Sequence, residues 1–425
     1  MIVICDLKYG HGRVSFPLPS KWQVEFLEPE KPAPCPLEEA LLQSLSDPRG
    51  EMPLVDWLSA TDDLLIIVSD ITRYAGAERI LPFLQKRFLG GRKTEILFAI
   101  GNHRKHNEME KRQILSDRIY ETIPSLDHDC YNERELVSLG RTTRGVEMTV
   151  NSRLPEKDAA IVIGTINFHY LAGFGGGRKN IFPGISGYET ILGIHKTVFH
   201  KDKPGKDEKA RAGVLDGNPM HEEIMEGLSF VDKPLFLINS VFNGTRNLMH
   251  ISAGHMDAAH RAGCEWYKNH YGHPIKEKAD VVIVSAGGFP RDINFIQTHK
   301  AIEHARGAIK QGGTMIVLGQ CEDGLGHSDF LNWFDSPSME EMESRVRAAD
   351  QVYAQTAYAT RMKAELYNII LVSDLDEGQV RKMGMTAKRS VQEAIASVDQ
   401  GNTMTCYAVP EGSSTLILAH DHRNL

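Results

Sequence analysis

The segment with the most chemical potential in this sequence runs from residue 168 to 179 and reads Phe-His-Tyr-Leu-Ala-Gly-Phe-Gly-Gly-Gly-Arg-Lys. It combines one histidine, a run of glycines and two adjacent cations, namely His169, Gly175, Gly176, Gly177, Arg178 and Lys179. Glycines leave the backbone free and its N–H groups accessible, which is what an anion-binding turn requires. Ordering such a segment is costly unless something binds to it, so we predict a ligand-binding turn rather than a flexible connection.

This segment is not a standard nucleotide-binding motif. The dinucleotide pattern G-x-G-x-x-G fails because Arg178 occupies the last glycine position. The P-loop pattern fails because Arg178 precedes Lys179 and Asn180 follows it.

Two other turns carry reactive side chains directly after apolar runs. The first contains Asp70, Thr72 and Arg73, and an arginine beside polar groups can hold a phosphate or a carboxylate. The second contains His103, and a histidine at a strand end suits acid–base work because the imidazole pKa lies near neutrality. Structural alternatives stay open at this point: Asp70 as a helix N-cap beside a solvated Arg73, and His103 bonded to backbone.

Three more candidates lie further along the chain. The pattern Ser186-Gly187-Tyr188-Glu189 predicts a capping box that opens a helix, with His195 near the end of that helix. His200 is five residues away, so the two histidines do not form an i,i+4 zinc pair. Gln297 and Lys300 share a helix face by spacing and suit a carboxylate ligand, although spacing alone favours an ordinary solvated face.

The elements that must position these residues alternate between short aliphatic runs and amphipathic stretches. The runs predict buried strands of parallel sheets at residues 64–68, 95–100, 159–163, 235–238, 279–285, 313–319 and 368–373. Between them, residues 77–88 and 108–115 are typical of amphipathic helices. We therefore predict βαβ units, in which ligands bind at the carboxyl ends of the strands.

The chain length of 425 residues predicts two domains. Together with the alternating runs and helices, we expect two α/β domains with largely parallel sheets and an active site in the cleft between them. We place an N-terminal cofactor-binding domain at 1–272, a polar linker around 269–275 and a C-terminal domain at 276–402. The remaining segment, 403–425, is expected to return to the N-terminal domain.

The composition narrows the class of protein. A net charge of −8 opposes nucleic-acid binding, and no apolar run is long enough for a membrane span. Six scattered cysteines without a C-x-x-C pair indicate reduced thiols in a cytoplasmic protein, and we expect no signal peptide. A homo-oligomer is compatible with the sequence.

Taken in order along the chain, these segments resemble the nickel-dependent lactate racemase family. That family is characterised by an Asp-x-x-Arg turn, a Gly-x-His-Arg turn, the motif His-x-x-Ala-Gly-x-x-Gly-Gly-x-Lys, a Pro-Gly followed by a His, and a Gln-x-x-Lys pair. The corresponding residues here are Asp70 and Arg73, His103, His169 through Lys179, Pro183-Gly184 with His195, and Gln297 with Lys300.

The resemblance implies a racemase or epimerase that inverts the C2 centre of a 2-hydroxy acid by reversible hydride transfer to a nickel-pincer nucleotide. This cofactor is a pyridinium-3,5-bisthiocarboxylic acid mononucleotide that carries nickel, and cofactor-synthesis proteins would supply it. By position, the resemblance implies that His195 is the protein ligand to nickel and that His103 and His169 are the acid–base pair of the enzyme. Lys179 would be the residue that attaches the cofactor covalently.

The resemblance also implies roles for the remaining candidates. Arg73, Gln297 and Lys300 would hold the substrate carboxylate. The glycine N–H groups, Arg178, Asp70 and Thr72 would hold the cofactor, with its phosphate on the glycine turn and Arg178 or near Thr72. Because Arg178 is a bulky departure next to Lys179, covalent attachment stays open.

The resemblance implies that the substrate is lactate or a more polar 2-hydroxy acid, such as a malate-like acid or a sugar acid. The polar residues Asn102 and Asn294 favour the more polar acid. Two alternatives share parts of this pattern. An NAD-type 2-hydroxyacid dehydrogenase would use the same histidine and arginine but lacks its glycine motif here. A non-catalytic nickel or cofactor carrier would use the same His and Lys without turnover.

Overall fold

A computed structural model describes residues 3–28, 32–351 and 353–419. The chain forms two compact units, one made of Pro32–Tyr267 and the other of Met1–Lys31 together with Lys268–Leu425. We call them the central unit and the terminal unit.

Most strands are short and lie in two six-stranded sheets. In chain order the strands are β1 (Ile4–Tyr9), β2 (Gly12–Pro17), β3 (Trp22–Phe26), β4 (Asp63–Ser69), β5 (Lys93–Ala99), β6 (Ser125–Asp127), β7 (Leu136–Arg141), β8 (Glu147–Asn151), β9 (Ala159–Thr165), β10 (Phe168–His169), β11 (Gly173–Phe174), β12 (Leu235–Phe242), β13 (Leu248–Gly254), β14 (Gly272–Ile275), β15 (Ala279–Ser285), β16 (Ile309–Leu318), β17 (Asn368–Val372), β18 (Thr386–Lys388), β19 (Met404–Val409) and β20 (Leu416–Ala419).

Helices connect most of the parallel strands. They are α1 (Leu37–Ser46), α2 (Leu54–Trp57), α3 (Ala77–Arg87), α4 (Glu108–Leu115), α5 (Asp117–Thr122), α6 (Arg153–Glu156), α7 (Arg178–Ile181), α8 (Tyr188–Lys196), α9 (Pro219–Ser229), α10 (Ala258–Tyr271), α11 (Phe295–Ala305), α12 (Met339–Ala348), α13 (Ala354–Leu366), α14 (Glu377–Lys382) and α15 (Val391–Val398), with 3-10 turns at Leu58–Ala60, Glu133–Glu135, Arg306–Ala308 and Phe330–Asp335.

The sheet of the central unit has the strand order β13-β12-β9-β4-β5-β6, and only β13 runs antiparallel to its neighbour. Residues 64–69 of β4 are all buried, which explains why its sequence is a continuous aliphatic run rather than an alternating one. The chain proceeds from β4 outward to β6 and then returns to the other side of β4 through β9. The strand order therefore reverses between β4 and β9.

The sheet of the terminal unit has the order β18-β17-β16-β15-β19-β3, with all strands parallel. Here the chain proceeds from β15 to β18 and returns on the other side of β15 through β19. A second reversal of strand order thus lies between β15 and β19.

The α/β fold with largely parallel sheets is confirmed, but the chain divides at other places than predicted. Strand β3 pairs with β19, and β14 pairs with β20, so both chain ends complete sheets of the terminal unit. The predicted return of 403–425 to the N-terminal domain does not match this pairing for its described part, up to residue 419. The predicted linker 269–275 consists of the end of α10 and strand β14.

The predicted helices at 77–88 and 108–115 are confirmed as α3 and α4. The predicted capping box is wrong: α8 begins after Gly187, and no side chain caps it. Among the described residues, no helix is both long and apolar enough to cross a membrane.

Candidate functional site

Three turns that the sequence singled out meet at one edge of the central sheet. They follow the adjacent parallel strands β9, β4 and β5, whose carboxyl ends point the same way. In the register, Ser69 lies opposite Ala99, so the turns that start with Asp70 and contain His103 are neighbours. The reversal of strand order between β4 and β9 is where open α/β sheets bind ligands.

Asp70 is the buried centre of the second turn. Its side chain is 2% exposed, and its Oδ2 binds Nδ1 of His103. Its Oδ1 accepts the Thr72 hydroxyl at 2.7 Å and lies 3.7 Å from the Arg73 guanidinium. Burial alone would raise the pKa of Asp70, but the His103 hydrogen bond and the Arg73 charge outweigh it and lower that pKa to about 2.

The tautomer of His103 follows from this contact. Because an ionised carboxylate only accepts hydrogen bonds, Nδ1 of His103 carries the proton, and Nε2 carries the lone pair. His103 is therefore arranged as a base whose ring is held by a carboxylate, as in an Asp–His pair of an acid–base site. No helix begins at Asp70, so the N-cap alternative for this residue is wrong.

A second His–Asp pair lies beneath this turn, and the sequence did not indicate it. His106 donates through Nδ1 to Asp127 Oδ1 at 2.6 Å, and its Nε2 accepts the backbone N–H of Ile71 at 3.1 Å. Asp127 also pairs with Lys111 at 2.9 Å. His106 lies in the loop after β5 and Asp127 ends strand β6, 21 residues further along the chain, so no local pattern could have joined them.

The glycine turn does not form the open anion nest that the sequence predicts. The N–H of Gly175 donates to the Asn167 carbonyl, and the N–H of Gly177 donates to the Asn239 side chain, both at 2.8 Å. Gly176 has a φ of +108° and a Cβ there would lie 2.8 Å from the His260 ring. The glycines are thus needed because the turn packs tightly onto its own unit.

Arg178 also differs from its predicted phosphate-binding role. It has no exposed surface and donates to the carbonyl oxygens of Ala172 and Phe174 at 3.1 Å. Its guanidinium also contacts the buried ring of His260. Arg178 therefore stabilises the glycine turn through hydrogen bonds to its backbone. Burial lowers the pKa of the Arg178 guanidinium to about 10.

Lys179 follows at the start of α7 and is only partly buried. Burial lowers the pKa of its ammonium group well below the usual value, and the charges of Arg178 and Arg73 add to this effect. The amine of Lys179 is thus held in an environment that favours its neutral, nucleophilic form.

His169 lies on β10, opposite Gly173 of the short β10–β11 hairpin. Its Nδ1 accepts the N–H groups of Leu171 and Ala172 at 3.2 and 3.0 Å. Burial, followed by the positive charge of Lys179, lowers the pKa of His169 well below its usual value. The neutral ring consequently carries its proton on Nε2, so His169 presents a donor where His103 presents an acceptor.

His195 lies on α8 near its end, as predicted. Its Nδ1–H donates to the Ile191 carbonyl at 2.8 Å, which leaves the lone pair on Nε2. Burial and the charge of Lys179 lower its pKa to about 4, so the ring is neutral. A backbone-oriented neutral imidazole is the usual form of a histidine that ligates a metal.

In the terminal unit, the predicted shared face of Gln297 and Lys300 on α11 is confirmed. Lys300 Nζ donates to Gln297 Oε1 at 2.6 Å. α11 starts directly after the loop that follows β15, at the strand-order reversal of this sheet. Asn294, which we considered a contact for a polar substrate, instead caps α11 by accepting the Gln297 N–H at 3.0 Å.

The buried face of α11 carries an ion pair that the sequence did not reveal. Lys363 from α13 lies 2.6 Å from the carboxylate of Glu303 and 2.9 Å from Nε2 of His299, and none of the three is more than 2% exposed. This pair fixes α11 from behind, while Lys300 on the other face stays exposed.

A small cleft that is open to solvent lies beside the Asp70 turn in the central unit. Its lining includes Asp70, Arg73, Tyr74, Gln113 and Arg246. No group of three or more His, Cys, Asp or Glu side chains converges as a metal site within the described part of the chain.

Family models match most of the chain. The lactate racemase N-terminal domain matches residues 9–207, and the lactate racemase C-terminal domain matches residues 275–417. The lactate racemase of Thermoanaerobacterium thermosaccharolyticum is 28% identical over 427 residues, which cover 97% of this chain and 98% of that protein. The lactate racemase of Lactiplantibacillus plantarum is also 28% identical, over 89% of this chain and 91% of that protein.

Solved structures agree with these matches. The lactate racemase apoprotein from Thermoanaerobacterium thermosaccharolyticum superposes with a TM-score of 0.86 at 27% identity, covering 98% of this chain and 100% of that one. A protein from Thermotoga maritima superposes with a TM-score of 0.60 at 18% identity, covering 91% and 99%, and shares the fold.

Proposed function

Because the chain belongs to the lactate racemase family, we propose that this racemase inverts the C2 centre of lactate or a related 2-hydroxy acid with the help of a nickel-pincer nucleotide. The observation that carries the proposal is the Asp70–His103 contact at the strand-order reversal, within 3.7 Å of the Arg73 guanidinium. In this arrangement Asp70 orients His103 as a base, and the nearby Arg73 guanidinium can bind a substrate carboxylate.

The residues present fit the proposed cofactor. Lys179 offers an amine whose pKa is lowered by burial and by two nearby cations, as attachment to a thioacid group would require. His195 offers one neutral imidazole nitrogen, which suits nickel. When bound, the nucleotide would supply a reversible hydride acceptor, so that no carbanion has to form beside the substrate carboxylate.

The substrate carboxylate is assigned to Arg73, Gln297 and Lys300. Among the residues that the structure describes, Arg73 forms one ion pair, a long one to Asp70 at 3.7 Å, so its guanidinium can bind a second carboxylate. The positive charges of Arg73 and Lys300 would also stabilise the keto acid that forms when C2 loses its hydrogen.

The proton of the substrate hydroxyl is assigned to the two histidines. His103 would take it on Nε2, because Asp70 keeps the ring proton on Nδ1. His169 would donate a hydrogen bond from its Nε2–H group to the same oxygen, while the proton taken by His103 is the one returned to the substrate. Serving the opposite enantiomer as a base requires the His169 proton to move to Nδ1, which the Leu171 and Ala172 N–H groups oppose in this conformation.

The choice between lactate and a more polar acid is part of the proposal. With Asn294 used as a helix cap, the argument for a more polar substrate rests on Asn102 alone, so lactate is the first substrate to test. Malate and sugar acids are the comparison substrates.

The proposal is tested with protein produced together with the cofactor-synthesis proteins. Chiral chromatography should show each enantiomer of lactate, or of one comparison acid, converting to the other. Conversion to a keto acid with reduction of added NAD would instead indicate a dehydrogenase. Nickel binding without exchange of enantiomers on any of these acids would indicate a carrier.

Intact-mass and metal analysis of the same preparation test the cofactor. We expect nickel and a nucleotide-sized mass increase that disappears in Lys179→Met. Nickel and nucleotide that are released by denaturation, with the chain mass unchanged, would mean that the cofactor is bound without the covalent link. A preparation that racemises lactate without either component would refute the cofactor assignment.

A further inference from the structure

We propose that His106 is a positioning residue that holds the Asp70 turn in the shape that orients His103 and Arg73. The loop from 103 to 106 touches this turn twice. His103 binds the side chain of Asp70, and His106 accepts the N–H of the next residue, Ile71. These two contacts form a clamp between the ends of β4 and β5.

The imidazole of His106 is locked in one tautomer. Its Nε2 accepts the Ile71 N–H at 3.1 Å, so Nε2 carries no proton, and its Nδ1–H donates to Asp127 at 2.6 Å. Asp127 is itself held by Lys111 at 2.9 Å. Burial would raise the pKa of Asp127, but the His106 hydrogen bond and Lys111 lower it, so Asp127 stays an acceptor.

His106 is buried between the Phe98 ring and the Asp70 turn. Its side chain is 1% exposed, and the Phe98 ring packs against it with the centroids 5.0 Å apart. A buried side chain of this kind cannot touch substrate, yet it contacts the backbone between Asp70 and Thr72. Without its acceptor, the Ile71 N–H would lose its partner, and the turn that carries Asp70 and Arg73 would relax.

Two substitutions separate this role from simple packing. In His106→Gln, Oε1 stands near the former Nε2 and can still accept the Ile71 N–H. In His106→Asn, the shorter amide can still reach Asp127 but not Ile71. A packing role predicts equal damage from both substitutions, whereas the positioning role predicts rescue by Gln only.

The first measurement is hydrogen exchange of the full-length protein without cofactor, followed in peptides that contain residues 70–73. We expect His106→Asn to speed exchange there by about tenfold or more, and His106→Gln to leave it near the wild-type rate. His128→Asn is the matched control, because His128 is also buried and bonds to Ser186 and Asn151 instead. It should not change exchange in this turn.

The second measurement is racemisation by the cofactor-loaded enzyme, and this part rests on the proposed function. We expect kcat/KM to fall about 10- to 100-fold in His106→Asn and to change by less than about threefold in His106→Gln. If His106→Asn does not fold, Asp127→Asn is the second variant, since an amide NH₂ facing Nδ1 would move the ring proton to Nε2 and break the Ile71 bond. It should behave as His106→Asn does.

Equal exchange rates in His106→Asn and His106→Gln would overturn the proposal, and so would full activity in a variant whose turn exchanges fast. Wild-type protein that racemises no 2-hydroxy acid would overturn the proposed function instead. In that case the exchange contrast still decides whether His106 holds the turn.

Discussion

The contact between Asp70 and His103 makes the sharpest prediction, through the substitution Asp70→Asn. The variant keeps the shape of the side chain but removes the charge that fixes the His103 tautomer and attracts Arg73. A carboxyl whose pKa falls from 3.8 to about 2 on folding stabilises the folded state by roughly 2 kcal/mol when ionised. Asp70→Asn should therefore lower the free energy of unfolding by about this amount at pH 7.

The pH dependence has a definite sign. Because the folded-state pKa is depressed, the stabilisation is complete above 3.8 and is lost as the pH falls towards 2. The difference between wild type and Asp70→Asn, measured by urea unfolding, should thus shrink when the pH is lowered from 7 through 3.8. A difference that stays constant over this range would show that charge is not its cause.

The effect on catalysis should be larger than the effect on stability. Without the carboxylate, His103 can place its proton on Nε2 and lose its function as a base, so we expect a fall in kcat of about 100- to 10,000-fold. The matched control is Asp63→Asn, at the start of the same strand, where the carboxylate pairs with Lys93 and Lys157. Equal nickel content must be verified, and normal racemisation by Asp70→Asn would refute the assigned base.

Three other side chains are tested separately. His195→Ala should abolish nickel retention, measured by metal analysis, while the melting temperature of the cofactor-free protein stays close to wild type. Lys300→Met should raise KM for lactate by about 10- to 100-fold with a smaller change in kcat, because it removes a charged donor to the carboxylate; an unchanged KM would contradict this. Arg178→Met should lower the free energy of unfolding by about 2 kcal/mol in urea denaturation, since the Ala172 and Phe174 carbonyls lose their donor; wild-type stability would count against a structural Arg178.

The positions of the Asp70 and His103 turns could be predicted from the sequence, because each turn follows a run of aliphatic residues that is typical of a buried strand. The aliphatic run before Asp70 forms β4, and the run before His103 forms β5. Because the two strands are parallel, the turns that follow them lie at the same edge of the sheet. The three-residue spacing of Gln297 and Lys300 likewise predicts the helix face that the two side chains share.

The structure differs from the predictions for the glycine turn, Arg178 and Asn294, because residue type alone does not determine whether a side chain is buried or which partner it has. Gly175, Gly177 and Arg178 have the composition of an anion site, yet their N–H groups bond within the unit and the arginine is wholly buried. Composition describes what a segment could bind, whereas burial depends on which other segments pack against it. Asn294 was misread for the same reason, since its role depends on where α11 begins.

The sequence by itself determined the α/β class, the most aliphatic strands of the two large sheets, and the set of candidate site residues. Only the tertiary structure decided their states: that Asp70 holds His103 as an acceptor, that two backbone N–H groups make His169 a donor, and that His106 supports the turn between them. The reason is physical. Residue type sets what a group can donate or accept, but its tautomer, charge and orientation depend on partners that are far away in the chain.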